Sequence, residues 1–274
     1  MKKFGILSKI SISFLLIMGA LAILAPQVTR YTYDEQNIME RLETSSAKHF
    51  MGTDVLGRDL YSRIIYGARL SLTVGVLTAL VSLIIGLTLG AISGYIGGWV
   101  DGVIMRVTDI FQIFPMVLIA ILLLMLLGKG VTGIITAIAL TSWATPARLV
   151  RGLVMQAKEL PYVESARAIG TSHFIILFRH IIPNLWGPII VALSFQIPNN
   201  IMAESFLSFL GLGLQPPYAS WGTLASDGFR AIQTYPHLIV FPGAALFITL
   251  LAFNFLGDGL RDWLDPKQSR VDIG

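Results

Sequence analysis

The chain has 274 residues, of which 54% are hydrophobic and 13% are charged, with a formal net charge of +4 at pH 7. A soluble domain carries roughly 25% charged residues, so this composition indicates a membrane protein rather than a water-soluble enzyme. The sequence contains no cysteine, which excludes disulfides, thiolate metal sites and cysteine nucleophiles.

Six stretches are long and apolar enough to cross a bilayer, which takes about 20 residues of helix. We predict an all-α membrane protein whose six transmembrane helices lie at 10–28, 70–94, 104–127, 131–152, 185–210 and 237–258. The first stretch also fits a cleaved secretory signal peptide with Ala20-Leu21-Ala22 as its cleavage site. An uncleaved anchor is favoured because five further spans follow.

Lysine and arginine are more frequent in the segments that would be cytoplasmic if the N-terminus lies inside. Since these residues stay on the cytoplasmic side, an N-in and C-in orientation is predicted. No polar segment carries a basic cluster, so no nucleic-acid partner is expected. The predicted parts are an anchor helix at 1–28, an extracytoplasmic loop at 29–69, a five-helix core at 70–262 with a cytoplasmic loop at 153–184, and a cytoplasmic tail at 263–274.

Motifs for catalysis or energy supply are missing from the sequence. It contains no G-x-x-x-x-G-K-[ST] phosphate loop and no G-x-S-x-G nucleophile motif. The four histidines form no i, i+4 pair and have no adjacent carboxylate, so no metal site is predicted. We therefore predict that the chain is not an enzyme by itself and binds no cofactor.

Small residues recur at every fourth position of the second predicted span. They are Ser82, Gly86, Gly90, Gly94 and Gly98. A ridge of this kind lets two helices approach closely. The pattern leaves open whether the neighbouring helix belongs to this chain or to a second subunit.

The inner loop at 153–184 is predicted to contain two helices joined by a glycine corner. Pro161 suits the first turn of a helix, and Gly170 suits the left-handed residue that ends one. Ser172 is predicted to cap the second helix and Pro183 to end it. The pattern alone fits an amphipathic connector at the membrane interface as well as it fits a docking element.

The fifth predicted span carries polar residues, namely Gln196, Asn199, Asn200 and Glu204. Polar groups inside a membrane usually face the bundle interior or a water-filled cavity. We predict that these residues line or gate a translocation path. The alternative is a hydrogen-bond cluster that only fixes helix packing.

The inner loop resembles the cytoplasmic loop of the membrane permeases of ATP-binding-cassette (ABC) importers. That loop reads E-A-A, three residues, G, nine residues, I-x-L-P. The positions that match are Glu164, Ala166, Gly170 and Pro183, and the positions that depart are Ser165, His180 and Ile182.

Further segments are similar to the second, C-type permease of dipeptide and oligopeptide importers. They are 49–59, 94–99, 207–213, 220–222 and 256–262. The resemblance therefore covers nearly the whole chain. It implies a type I ABC-importer permease in a bacterial or archaeal cell membrane, forming half of a pathway for dipeptides or oligopeptides.

The resemblance also implies partners and their contact residues. The implied partners are a second permease in a heterodimer, two cytoplasmic ATP-binding subunits that use ATP and Mg²⁺, an extracytoplasmic substrate-binding protein, and membrane lipid. The residues implied to contact the ATPase are Glu164, Ser165, Ala166, Arg167, Gly170 and Pro183. The residues implied to face the binding protein are Asp54, Arg58, Asp59 and Trp221.

Other functions stay open at this point. Importers of nickel chelates or other small solutes share the same architecture. An ATP-independent channel or secondary transporter would need intramembrane carboxylates arranged for coupling, and Glu204 is the one central candidate in the sequence. A structural membrane scaffold is the third class.

Overall fold

The computed structural model describes residues 4–264, so all but the first two residues of the predicted tail at 263–274 lie outside the described residues. Within the described part the chain is helical, with one isolated antiparallel bridge between Thr53 and Asp59. The α-helices are α1 (Ile6–Ile23), α2 (Ala25–Val28), α3 (Leu60–Ile96), α4 (Gly98–Ile113), α5 (Met116–Leu127), α6 (Val131–Ser142), α7 (Ala144–Ala157), α8 (Pro161–Ala168), α9 (His173–Ile175), α10 (Trp186–Phe209), α11 (Trp221–Phe229) and α12 (His237–Leu264). A 3-10 turn also occupies Ile38–Glu40.

Four helical stretches are long and apolar enough to cross a membrane. They are α1, α3, the stretch His173–Phe209 and α12. Two bent pairs add to them, α4 with α5 and α6 with α7, which bend by 95° and 42°. Counting each pair as one span gives six, and the prediction of an all-α membrane protein is confirmed.

The third predicted span, 104–127, is not one straight helix. Pro115 has no N–H to continue the ladder, and a proline disfavours helical geometry at the residue before it. Phe114 accordingly has extended backbone angles, with φ of −75° and ψ of 137°. The helix breaks there, and α5 leaves at 95° to α4.

Helix α3 contains the second predicted span, 70–94, but begins at Leu60, ten residues before that span. Asp59 caps α3 because its carboxylate accepts a hydrogen bond from the Ser62 N–H at 2.8 Å. The irregular outer segment therefore ends at residue 59. The 37 residues of α3 correspond to a length of about 55 Å.

The glycine ridge of α3 packs against α7 of the same chain. A Cβ built on Gly86 would lie 2.8 Å from the Ala147 N, and a Cβ built on Gly90 would clash with the Ala147 O. A Cβ on Gly94 would lie 2.6 Å from the Arg151 O. Gly86, Gly90 and Gly94 thus pack within this subunit, whereas a Cβ on Gly98 would meet nothing within 4 Å.

We expect Gly90→Ala to destabilise the fold by about 1–3 kcal/mol, because the new methyl group would meet backbone that cannot move aside. The control is Gly102→Ala in α4, where a Cβ would meet nothing within 4 Å. Thermal unfolding of both purified variants in detergent measures the difference. Equal stability of the two variants would contradict this account of the ridge.

Pro183 does not end the helix that begins at His173, so this prediction is wrong. The helix continues through a π-helical turn at Ile176–Ile181 and a 3-10 turn at Ile182–Leu185 into α10. Pro183 lies in the first turn of the 3-10 segment, where its missing N–H has no obligatory partner. His173–Phe209 is consequently one stretch of 37 residues.

Helix α3 separates two polar ends of the molecule. At its Leu60 end, the Trp221 indole N–H of α11 donates to the Ile64 O at 3.1 Å. At its Ile96 end, the Tyr95 hydroxyl lies 3.0 Å from Nδ1 of His173. The segment 29–59 and the α8 region therefore lie at opposite ends of a membrane-spanning helix.

Helix α1 packs along α12. The Ser8 hydroxyl donates to the Phe255 O at 3.2 Å. Near the same end, the rings of Phe4 and Trp263 stack with 5.9 Å between their centroids. The predicted anchor helix is thus packed as a peripheral member of the bundle.

Candidate coupling surface and polar groove

The local geometry of α8 follows from its sequence. Pro161 is the first residue of the helix, and Gly170 has a φ of +78° just beyond its end. Both features confirm the predicted helix and glycine corner. Ser172 occupies the N-cap position of α9, but its side chain makes no capping hydrogen bond.

One face of α8 is anchored in the core. Val163 and Ala166 are buried in an apolar cluster with Val154, Ile176 and Ile182. Ala166, one of the residues implied to contact the ATPase, therefore packs its side chain inside this chain. The burial fixes α8 against α7 and the start of the helix that becomes α10.

The opposite face of α8 is exposed and carries the charged positions that the sequence singled out. Glu164, Ser165 and Arg167 all point away from the core. Ile169 is 83% exposed beside them, and Tyr162 is also exposed. Sequence reasoning missed these two apolar side chains, although apolar residues in an otherwise polar loop are a signal of contact. We call Tyr162, Glu164, Ser165, Arg167 and Ile169 the coupling surface.

The coupling surface is joined directly to a membrane helix. The Thr171 N–H donates to the Ala166 O at 3.1 Å, which closes the corner between α8 and α9. The chain then runs without a break in the helix into α10. The corner at 169–172 is thus the one non-helical link between α8 and the stretch His173–Phe209 that contains α10.

A groove opens where α4 breaks from α5, and we call it the polar groove. Its polar lining includes Gln196 and Asn199 with the buried Asn200, three of the four residues that the sequence predicted to line or gate a path. It also includes Gln112, Ser142 and Thr145, which sequence reasoning missed. The signal that could have found the groove is Pro115 in the middle of an apolar run, because a proline there breaks the helix.

Glu204 does not line the groove. It is fully buried, and its carboxylate accepts a hydrogen bond from the Ser208 hydroxyl at 2.7 Å and weaker ones from Ser71 and Ser205 at 3.4 Å. Ser71 in turn accepts from the Trp221 N–H at 3.2 Å. The alternative of a structural hydrogen-bond cluster fits this arrangement of Glu204, and a role in gating a path stays a prediction.

Four charged residues form a cluster at the Leu60 end of α3, and we call it the charge cluster. Asp54 Oδ2 lies 2.7 Å from Nε of Arg58 and 2.6 Å from a terminal nitrogen of Arg63. Asp227 of α11 lies farther away, at 3.8 Å from Arg58 and 3.5 Å from Arg63. The cluster thus ties the segment 29–59 to both α3 and α11.

The residues predicted to dock a binding protein are buried. Trp221 is fully buried, while Asp54, Arg58 and Asp59 are at most 5% exposed. Their side chains hold the segment 29–59 together and present no surface, so this prediction is corrected.

A buried histidine completes the same end of the molecule. Nδ1 of His49 lies 2.8 Å from Asp59 and Nε2 lies 3.1 Å from Glu40. Hydrogen bonds from Lys48 and His49 lower the pKa of Glu40 below its usual value. In residues 4–264, no group of three or more histidine, aspartate and glutamate side chains is arranged to hold a metal ion.

Comparison with protein families places most of the chain in a known group. Residues 86–270 match the family described as binding-protein-dependent transport system inner membrane component. Over 261 residues the chain is 43% identical to the oligopeptide transport system permease protein OppC of Bacillus subtilis (strain 168), covering 95% of this chain and 86% of that protein. It is 42% identical to the dipeptide transport system permease protein DppC of the same organism over 257 residues, covering 93% and 80% of the two chains.

Comparison with solved structures addresses the fold. An inward-facing structure of the MetNI methionine ABC transporter contains a chain that matches with a TM-score of 0.59 at 15% sequence identity. The match covers 74% of this chain and 96% of that one. This chain therefore shares its helical fold with a chain of that ABC transporter.

Proposed function

The chain belongs to the family of inner membrane components of binding-protein-dependent transport systems, and from this premise we propose that it imports oligopeptides or dipeptides. It is a multi-pass cell-membrane permease subunit that works with other components of an ABC transporter. The peptide substrate is supported by the names of relatives such as OppC and DppC, which share 42–43% of their residues with this chain over most of its length.

The observation that carries the mechanism is the coupling surface on α8. Its charged residues are exposed, while Val163 and Ala166 anchor the same helix in the core. We place this surface in a groove of a cytoplasmic ATP-binding subunit, with Gly170 and Pro183 shaping the adjoining chain. In this proposal α8 lies on the cytoplasmic side, together with the Phe4–Trp263 contact between α1 and α12.

The energy for transport comes from outside the chain in this proposal. Two ATP-binding subunits bind and hydrolyse ATP with Mg²⁺, and their closure pushes α8 of this permease and of a second permease. Because α8 adjoins the continuous stretch His173–Phe209, the push moves α10 with it. The permease itself supplies no catalytic group, and an extracytoplasmic binding protein delivers the peptide to its outer end.

Co-purification and transport together test this proposal. The tagged chain is expected to copurify from its native membrane, in mild detergent, with ATP-binding subunits and a second permease. After reconstitution with the binding protein, the complex is expected to accumulate trialanine in vesicles only when ATP is supplied. Solute passage by the chain alone without ATP would show a channel and overturn the proposal.

A further inference from the structure

The polar groove contains hydrogen-bonding groups that the protein itself leaves unused. Asn200 is 1% exposed and Ser142 is 8% exposed. Neither the Asn200 Nδ2 nor the Ser142 Oγ has a hydrogen-bond partner in the part of the chain that the structure describes. An unsatisfied buried polar group costs free energy, so two such groups in residues that line one groove indicate that something polar binds there.

The backbone at the helix break adds more unused groups. The last carbonyls of α4 and the first N–H groups of α5 have no partners within their own helices. Irregular backbone at membrane depth is tolerated where it is buried in protein or lines a water-filled cavity. The break at Phe114 and Pro115 adjoins the polar groove, near the middle of the pair formed by α4 and α5. Discontinuous membrane helices bind substrates in other transporters in this way.

The chemistry of the lining selects the kind of ligand. Gln112, Gln196, Asn199 and Asn200 contribute carboxamides, which both donate and accept hydrogen bonds. None of the described residues that line the groove carries a charge, and none is a histidine. Such a lining offers no ligand set for a metal ion and no counter-charge for an anion. Neutral amides in the ligand are its natural counterpart.

We propose that the polar groove is a binding site for the main-chain amides of a peptide, in which Asn200 and Ser142 donate or accept the hydrogen bonds that they leave unused in the free protein. The proposal rests on the proposed function and deepens it. Because the groove contacts the backbone that all peptides share, it accepts different side chains, and it favours a peptide over a nickel complex.

The absence of native cysteine makes the site testable by single cysteine substitutions. Asn199→Cys and Gln112→Cys each place a thiol on an exposed lining position of the groove. Gln36→Cys, on an exposed position of the segment 29–59, is the control. In the purified complex without ATP and binding protein, trialanine at ten times its Kd is expected to slow methanethiosulfonate modification at 199 and 112 by about tenfold, because bound peptide covers the thiols. Modification at 36 should be unchanged.

Removal of the Ser142 hydroxyl tests whether that group binds the peptide. In the Asn199→Cys background, Ser142→Ala removes one hydroxyl and is expected to weaken protection by trialanine about two- to tenfold, the effect of one hydrogen bond. Ser194→Ala is the matched control, since its hydroxyl already donates to the Val191 O at 2.6 Å. Protection in that variant should equal that of the parent.

The outcomes separate this site from the function on which it rests. Import of trialanine by the unmodified complex without any protection at 199 and 112 would overturn the groove and leave the proposed function standing. Thiols that stay unreactive because another subunit covers the groove, or protection by NiCl₂ in place of trialanine, would overturn it as well. Failure of the unmodified complex to import peptide would count against the function, while thiol protection would still support the site.

Discussion

Replacing Glu164 with lysine should reduce ATP-driven peptide uptake by about thirtyfold or more, the effect of losing a charge pair across a tight interface. Glu164 is exposed on α8 and is not part of the core, so the variant should insert and fold normally. The measurement is uptake in vesicles together with the membrane level of the chain and the amount of ATP-binding subunit that copurifies with it.

The control for this charge reversal is Glu159→Lys. Glu159 is exposed in the same loop, two residues before α8, and lies outside the coupling surface. The Glu159→Lys variant has the same change in charge as Glu164→Lys and should keep normal uptake. Normal uptake by Glu164→Lys at normal membrane levels would contradict the assignment of α8 to the ATP-binding subunit.

Asp54→Ala should destabilise the fold by about 3–5 kcal/mol, because it leaves two buried cations without their partner. Arg58 and Arg63 are at most 5% exposed, and the closest carboxylate to each in the described residues is that of Asp54. The same substitution also removes the acceptor of the Leu56 and Arg58 N–H groups. Thermal unfolding in detergent and limited proteolysis of the segment 29–59 measure the loss.

Asp227→Ala provides the comparison for Asp54→Ala. Its side chain is 43% exposed and its contacts with the arginines are longer, at 3.5 and 3.8 Å. Partly exposed pairs contribute up to about 1 kcal/mol, so this variant should stay close to the parent in stability. Equal losses in the two variants would show that Asp54 is not the centre of the charge cluster.

The membrane-spanning helices could be predicted because a bilayer requires long apolar runs, and such runs can be read directly from the amino-acid sequence. The start of α3 could not be predicted in this way. Residues 60–69 include Arg63 and Arg69, so their hydropathy resembles that of a loop. Arg63 is buried only because Asp54, six residues before the helix begins, folds back onto it.

The polar groove could also be predicted only in part from the sequence. Gln196, Asn199 and Asn200 stand out as polar residues in one apolar stretch, so the sequence identifies them. Gln112 lies in α4 beside the 95° bend, and Ser142 ends α6 at the 42° bend, so only the folded chain brings them to the groove. Glu204 looked equivalent to its polar neighbours until the structure placed three serines around its carboxylate.

The π-helical turn at Ile176–Ile181 has a geometric consequence for the permease. Its hydrogen bonds span five residues, and the buried residues Ile176, Leu177, Ile181 and Ile182 recur with that period of five. In an α-helix each residue turns the backbone by about 100°. The longer π-helical turn therefore changes the direction in which α8 lies around the axis of α10. Deleting one residue from the turn would swing the coupling surface sideways about that axis while changing its depth by only about 1.5 Å. In the proposed coupling mechanism, the direction in which α8 faces around the α10 axis is thus set by a stretch of chain outside the coupling surface.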